Sequence, residues 1–273
     1  MDTPFFSPNN YLEKQLKYIL NNPKASFSDT EFLEAIFAFY CPPCEPSRII
    51  NLCKPFCFLT EEATQRFQIG YSSQKIFPHL KKHDSWHEVF TRLSKLNFFY
   101  YDTKERFHNC ILVPIFNSQG HITQIYGWNL NRNLPPDFPR DISLNLSDRD
   151  PWNYAGLLHQ KQWIFCQNVW DALTWWSAGF HNVSCGSEGF ELCHFALLDQ
   201  VRPQKVILCS NNNAVGNYFA DECLTILKEK NIAAARIKFQ KKEGLRHILL
   251  QYPRGEGLSS TLVDYLEKAS SCF

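Results

Sequence analysis

The chain has no surplus of charge: 28 Lys and Arg stand against 27 Asp and Glu in 273 residues, a net charge of +1. A global basic field of the kind that drives strong non-specific nucleic-acid binding is therefore missing, and any basic surface must be local. No run approaches the ~20 apolar residues that span a bilayer, and Met1-Asp2-Thr3-Pro4-Phe5-Phe6 lacks the basic-then-apolar layout of a secretory signal. The expected setting is cytoplasmic, with no membrane partner. No internal repeat or low-complexity stretch is visible, and the length allows one large domain or two modest ones with proper cores.

Cysteine, by contrast, is abundant. There are eleven, most of them inside apolar runs (Cys110, Cys166, Cys185, Cys209), where a reduced thiol behaves as a small hydrophobe. Cys41, Cys44, Cys53 and Cys57 make a CxxC, eight residues, then a CxxxC, a spacing to be tested as a zinc site. Against zinc, Cys41-Pro42-Pro43-Cys44 follows an apolar helical run directly and no Gly supplies a knuckle turn. Ile49, Ile50 and Leu52 also recur with Cys53 at helical spacing. The expectation is a cysteine-containing helical hairpin without zinc.

The first hundred residues read as helices. Tyr11 to Leu20 is amphipathic, and Ser28-Asp29-Thr30-Glu31 is a capping box opening a helix with an apolar stripe of Phe32, Leu33, Ile36, Phe37 and Tyr40. A second capping box, Ser85-Trp86-His87-Glu88, opens another, with Val89, Phe90 and Leu93 inward. Cys110 to Phe116 and His121 to Trp128 are strand runs joined by a Gly-containing loop, Asn117-Ser118-Gln119-Gly120. Asn129 to Asp150, rich in Asn, Asp, Pro and Arg, reads as a surface connection. Beyond it, strands near 163–167, 181–185, 204–210 and 232–239 alternate with helices near 170–178, 190–199, 215–229 and 258–270. That alternation predicts a parallel sheet covered by helices. Ligand sites in such sheets lie outside the strand carboxyl ends, so Gln167, Gly186, Asn211 and Asn213 should converge. The expected class is α/β: an α+β N-terminal half over 1–150, a parallel-sheet α/β subdomain over 151–257, and a C-terminal helix over 258–273.

Trp163 through Leu173 resembles the strand-to-helix turn of a Toprim domain, and Val206 through Gly216 resembles that family's hydrophobic strand ending in Asp-Gly-Asp. Phe32-Leu33-Glu34-Ala35, Leu59-Thr60-Glu61-Glu62, Arg66-Phe67-Gln68-Ile69-Gly70-Tyr71, Tyr101, Arg106-Phe107, Val113-Pro114-Ile115 and Tyr126-Gly127 follow in order the RNA-polymerase core of bacterial DnaG-type primases. Asn153 to Leu157 and Ser184 to Ser187 continue the match, so the likeness covers roughly residues 30 to 250. It lacks the zinc-ribbon and helicase-binding domains.

The resemblance implies a Mg²⁺ site, but Gln167, Asn211 and Asn213 stand where the family has carboxylates. A divalent ion facing one carboxylate at ~4 Å and effective dielectric ~20 gains about 8 kcal/mol before desolvation, and Mg²⁺ sheds water reluctantly. The expectation is a lost Mg²⁺ site. Asp171 is retained, with helix-N-terminal stabilisation as its plain reading. Gln240 to Arg246 replaces a further acidic segment and leaves Glu243 alone. For nucleic acid, His108 and Trp128 replace two family Arg, while Arg106, Arg132, Arg140 and Arg149 are candidate phosphate contacts. Trp128, Trp152 or Trp170, if exposed, would stack on bases or anchor a protein. These substitutions point to a catalytically degenerate primase-like protein, not an enzyme, that binds a protein partner or, weakly, single-stranded nucleic acid in DNA replication. The alternatives are an active primase using displaced ligands (Asp171, Glu188, Asp221, Glu243) or a single-strand-binding accessory factor.

Overall fold

The computed structural model describes residues 18–19, 27–41, 44–73, 75–100, 103–135, 138–145, 150–186, 189–239, 244–252 and 255–271. Most of the Tyr11 to Leu20 helix, and Arg149, Glu188 and Glu243, lie outside the described residues. Contacts divide the chain into two units, Met1–Ile49 with Gln65–Arg149 and Ile50–Thr64 with Asp150–Phe273. Helices α1 (Asp29–Tyr40), α2 (Pro46–Cys53) and α3 (Glu61–Arg66) come first, and the unit boundaries fall within α2 and α3.

In the first unit, α1 starts as its capping box requires. Glu31 N–H donates to Ser28 Oγ (3.2 Å) and Ser28 N–H donates back to Glu31 Oε2 (2.8 Å). Its stripe of Phe32, Leu33, Ile36 and Tyr40 is buried in one core with Leu112, Ile125, Ile142 and Leu144. Each such side chain is worth about 1.5–3 kcal/mol on burial. The partner is a four-stranded antiparallel sheet in the order β1 (Gly70–Ser72), β2 (Cys110–Phe116), β3 (Ile122–Asn129), β4 (Asp141–Asn145). The β2–β3 hairpin is as expected, and Asn117 Oδ1 holds its loop by accepting from Gln119 N–H and His121 N–H. Two expectations need correction. The supposed connection after Asn129 contains β4, whose Ile142 and Leu144 alternate into the core with polar neighbours outward. Ser85 precedes α5 (Trp86–Lys95), which follows a short α4 (Phe77–Leu80), but makes no side-chain cap. Its ψ of 11° leaves it in a turn rather than the extended conformation that aims a hydroxyl at the helix N–H groups.

The second unit is built on a five-stranded sheet. Strands β5 (Gln162–Cys166), β6 (Val183–Cys185), β7 (Lys205–Cys209) and β8 (Ala233–Arg236) are parallel, and β9 (Ser270–Ser271) is antiparallel to β8; the order is β6-β5-β7-β8-β9. Helices α6 (Tyr154–Leu157), α7 (Val169–Ser177), α8 (Leu192–Val201), α9 (Ala214–Glu229), α10 (Leu245–Gln251) and α11 (Leu258–Glu267) connect or follow them. One face packs Trp163, Phe165, Val206 and Leu208 against Leu197, Leu198, Phe219 and Leu227 of α8 and α9. On the other, Trp175 Nε1 of α7 donates to Cys209 Sγ (3.1 Å). Trp152 and Trp170, considered as exposed stacking or anchoring residues, are only 3% accessible and belong to the core. Because β6 and β7 lie on opposite sides of β5, the chain reverses its winding there, and the crevice of such a sheet opens where those strands end.

Candidate functional site

The strand ends of the second unit bring Gln167, Gly186, Asn211 and Asn213 together through backbone pairing. Gln167 N–H donates to Cys209 O (3.2 Å) and Gly186 N–H donates to Cys166 O (3.1 Å). Two of the asparagines at this edge cap helices. Asn213, extended at φ −140°, accepts from Gly216 N–H (2.8 Å) and is the N-cap of α9. Asn168 caps α7 in the same way, accepting from Asp171 N–H (2.9 Å) and donating through Nδ2 to Asp171 Oδ2 (2.9 Å). Asp171 therefore serves the helix N-terminus. Asn211 Oδ1 is packed on Gly244, where an added Cβ would come within 1.7 Å of it. Asn211 O is crossed equally closely by Gly216, whose added Cβ would lie 1.9 Å away. Gln167 Oε1 and Ser210 Oγ are buried without a hydrogen-bond partner among the described residues.

Arg236, at the end of β8, reaches the same edge. Its Nη2 donates to Asn217 Oδ1 (2.8 Å) and lies 3.3 Å from Gly216 O and 3.4 Å from Asn211 O. A cation thus already sits at the β7–α9 turn, against the backbone of Asn211 and Gly216. The Mg²⁺ that the resemblance implies finds a poor donor set here: one amide oxygen spent on a helix cap, one packed on glycine, one orphaned, and Asp171 engaged by Asn168. A hard, strongly hydrated ion needs carboxylate charge to shed its water, so these residues do not fit it.

Metal-ligand chemistry among the described residues is otherwise confined to Glu191, Cys193 and His194, whose ligand atoms lie within 4.8 Å of one another. Both His194 nitrogens are engaged: Nδ1 accepts from Glu191 N–H (3.1 Å) and Nε2 donates to Cys185 O (3.1 Å), a buried neutral imidazole holding α8. Of the four N-terminal cysteines, Cys57 donates to Trp170 O (3.3 Å) and burial pushes its thiol up to about 12; Cys41 and Cys53 are likewise raised by burial. All three thiols stay protonated at neutral pH.

The first unit holds a different kind of site, a cleft of about 390 Å³ bordered by Lys75, Tyr100, Lys104, His108, Asn129 and Phe138. Tyr100 and Phe138 meet edge to face at 4.5 Å, Lys104 Nζ stands 3.6 Å above the Phe138 ring, and the Arg106 guanidinium lies 5.2 Å over Tyr100. Arg106 also donates to Asn97 O (3.1 Å), while its buried Nε has no partner among the described residues. Burial, then the Lys75 charge, holds the His108 imidazole below its ordinary 6.5, with Glu105 opposing. Glu105 is structural: it accepts from Tyr40 Oη (2.7 Å), Ile76 N–H (2.8 Å) and Phe77 N–H (2.9 Å), fixing the start of α4. Of the sequence candidates, His108 lines this cleft, and Arg106 stacks on Tyr100, which lines it. Arg140 donates to Asn129 O (2.9 Å) at its margin, Arg132 is exposed, and Trp128 is half-buried on β3 opposite Asp141. Sequence reasoning missed Lys75, Lys104, Tyr100 and Phe138; the aromatic-basic interleaving of 100–106 was the available signal.

No model of a known protein family matches the sequence, and no curated protein matches it. Solved structures do. The chain is similar to the E. coli primase catalytic core (TM-score 0.66, 13% identity, 89% of this chain and 81% of that one). It is also similar to the RNA polymerase domain of Mycobacterium tuberculosis primase DnaG (0.60, 14%, 95% and 84%). A DnaG primase catalytic domain bound to single-stranded DNA matches at 0.62 with 13% identity over 96% and 81%. This likeness corrects the expectation that the chain is not an enzyme: its neighbours are catalytic cores and polymerase domains, and three amide positions do not by themselves show that activity has been lost. The architecture, an antiparallel sheet unit and a helix-flanked parallel sheet unit, is the fold of the DnaG primase catalytic core.

Proposed function

We propose that this chain is a primase-type protein of DNA replication that takes a single strand of nucleic acid at the cleft of its N-terminal unit. The observation that carries the proposal is the pairing of cations with aromatic faces there, Lys104 on Phe138 and Arg106 on Tyr100. Ammonium and guanidinium groups bind the phosphates of any sequence, and aromatic rings stack on unpaired bases, so the combination suits a single strand without sequence preference. The single-stranded DNA held by one similar primase domain, and the duplexes held by others, support nucleic acid as the ligand class. With a net charge of +1, affinity rests on a few local contacts, so binding is weak and falls with salt in proportion to the few phosphates contacted. The test is fluorescence anisotropy of a labelled single-stranded oligonucleotide. Tyr100→Ala and Lys104→Ala should each weaken binding several-fold, whereas Lys95→Ala, on α5, should not; equal effects from all three would overturn the assignment.

A further inference from the structure

We infer that the carboxyl edge of the parallel sheet is organised around a cation of its own, the Arg236 guanidinium, and takes up no divalent ion. Four observations combine. The Arg236 Nη2 spans Asn211 O, Gly216 O and Asn217 Oδ1 within 3.4 Å and so ties the end of β8 to the β7–α9 turn. Asn213 spends its carbonyl oxygen on Gly216 N–H, and Asn211 Oδ1 is packed on Gly244. Among the described residues Gln167 Oε1 is buried with no partner, as a neutral amide can be but a carboxylate could not be without a counter-charge. The one retained acid at this edge among the described residues, Asp171, is bound to Asn168. A divalent ion here would meet neutral carbonyls and a fixed positive charge, and like charges in a partly desolvated edge repel. The guanidinium, planar and permanently charged, supplies the cross-linking that a bound ion would otherwise provide.

The experiment reads ion uptake and stability, not activity. Mn²⁺ titrated into the full chain and followed by electron paramagnetic resonance should show no saturable site. The Gln167→Glu/Asn211→Asp/Asn213→Asp variant should gain one, and adding Arg236→Met to it should tighten that site at least threefold. Arg236→Met alone should lower the thermal midpoint clearly more than Arg202→Met, a change at an exposed arginine, and millimolar Mg²⁺ should not restore it. If the triple variant does not fold, Asn213→Asp with Arg236→Met reads the same gain while keeping the helix cap. Saturable Mn²⁺ uptake by the unmodified chain that Gln167→Ala abolishes would overturn the inference. So would an Arg236→Met midpoint equal to that of Arg202→Met, or a folded acidic variant that still takes up no ion.

Discussion

At the scale of single residues, asparagine side chains at the strand ends do structural work, at Asn213 in a position where the resemblance has a carboxylate. Asn213 and Asn168 cap helices that leave strand ends. Asn213→Ala should therefore cost about 1 kcal/mol in chemical denaturation, while Asn213→Asp should be neutral or slightly stabilising because a carboxylate also accepts Gly216 N–H and complements the helix dipole. Ser28→Ala should cost about 1 kcal/mol, since that hydroxyl accepts Glu31 N–H in a complete capping box. His108 gives a pH signature. Its folded pKa lies below the ordinary 6.5, so the folded state binds fewer protons and stability from this group is complete above that value and declines as pH falls through and below it. A phosphate beside the ring reverses the preference. Single-strand affinity should rise as pH is lowered from about 7.5 to about 5.5, and His108→Gln should flatten that part of the profile.

At the scale of elements, periodic signals were legible and short or mixed ones were not. The α1 stripe and its capping box, the β2–β3 hairpin and the β5, β7 and α9 pattern could be read because their apolar spacing matches one secondary-structure period. Strand β4 was hidden because only Ile142 and Leu144 face the core in a stretch of Asn, Asp, Pro and Arg, and β1 because three residues carry no period. If β4 belongs to the core as described, Ile142→Ala should cost about 2–5 kcal/mol, a loss that a surface connection would not show. Glu105 was equally invisible: nothing local marks an acid whose partners lie at positions 40, 76 and 77. Glu105→Gln should cost about 1.5–3 kcal/mol, because the amide cannot accept as many of these donors and loses their charge-assisted strength.

At the scale of the whole molecule, an ordered series of weak matches from residue 30 to 250 identified a fold that 12–15% identity conceals from comparison of sequences. The strand-edge residues were legible because the topology of a parallel sheet fixes where its site lies. Arg236 was not, since a strand-end arginine declares no target until the neighbouring turn is built. The N-terminal cleft was half legible: Arg106 and His108 followed from the resemblance, while Lys75, Lys104 and Phe138 meet only once separate loops fold together. The measurement that tests the central claim most directly is the salt dependence of single-strand binding by the full chain and by Tyr100→Ala/Lys104→Ala. The account predicts a Kd on the order of 10⁻⁵ M at physiological salt for the parent, and a double-logarithmic slope reduced by about 0.7 when the Lys104 phosphate contact is removed. Binding that is indifferent to salt, or a slope unchanged in the variant, would contradict it.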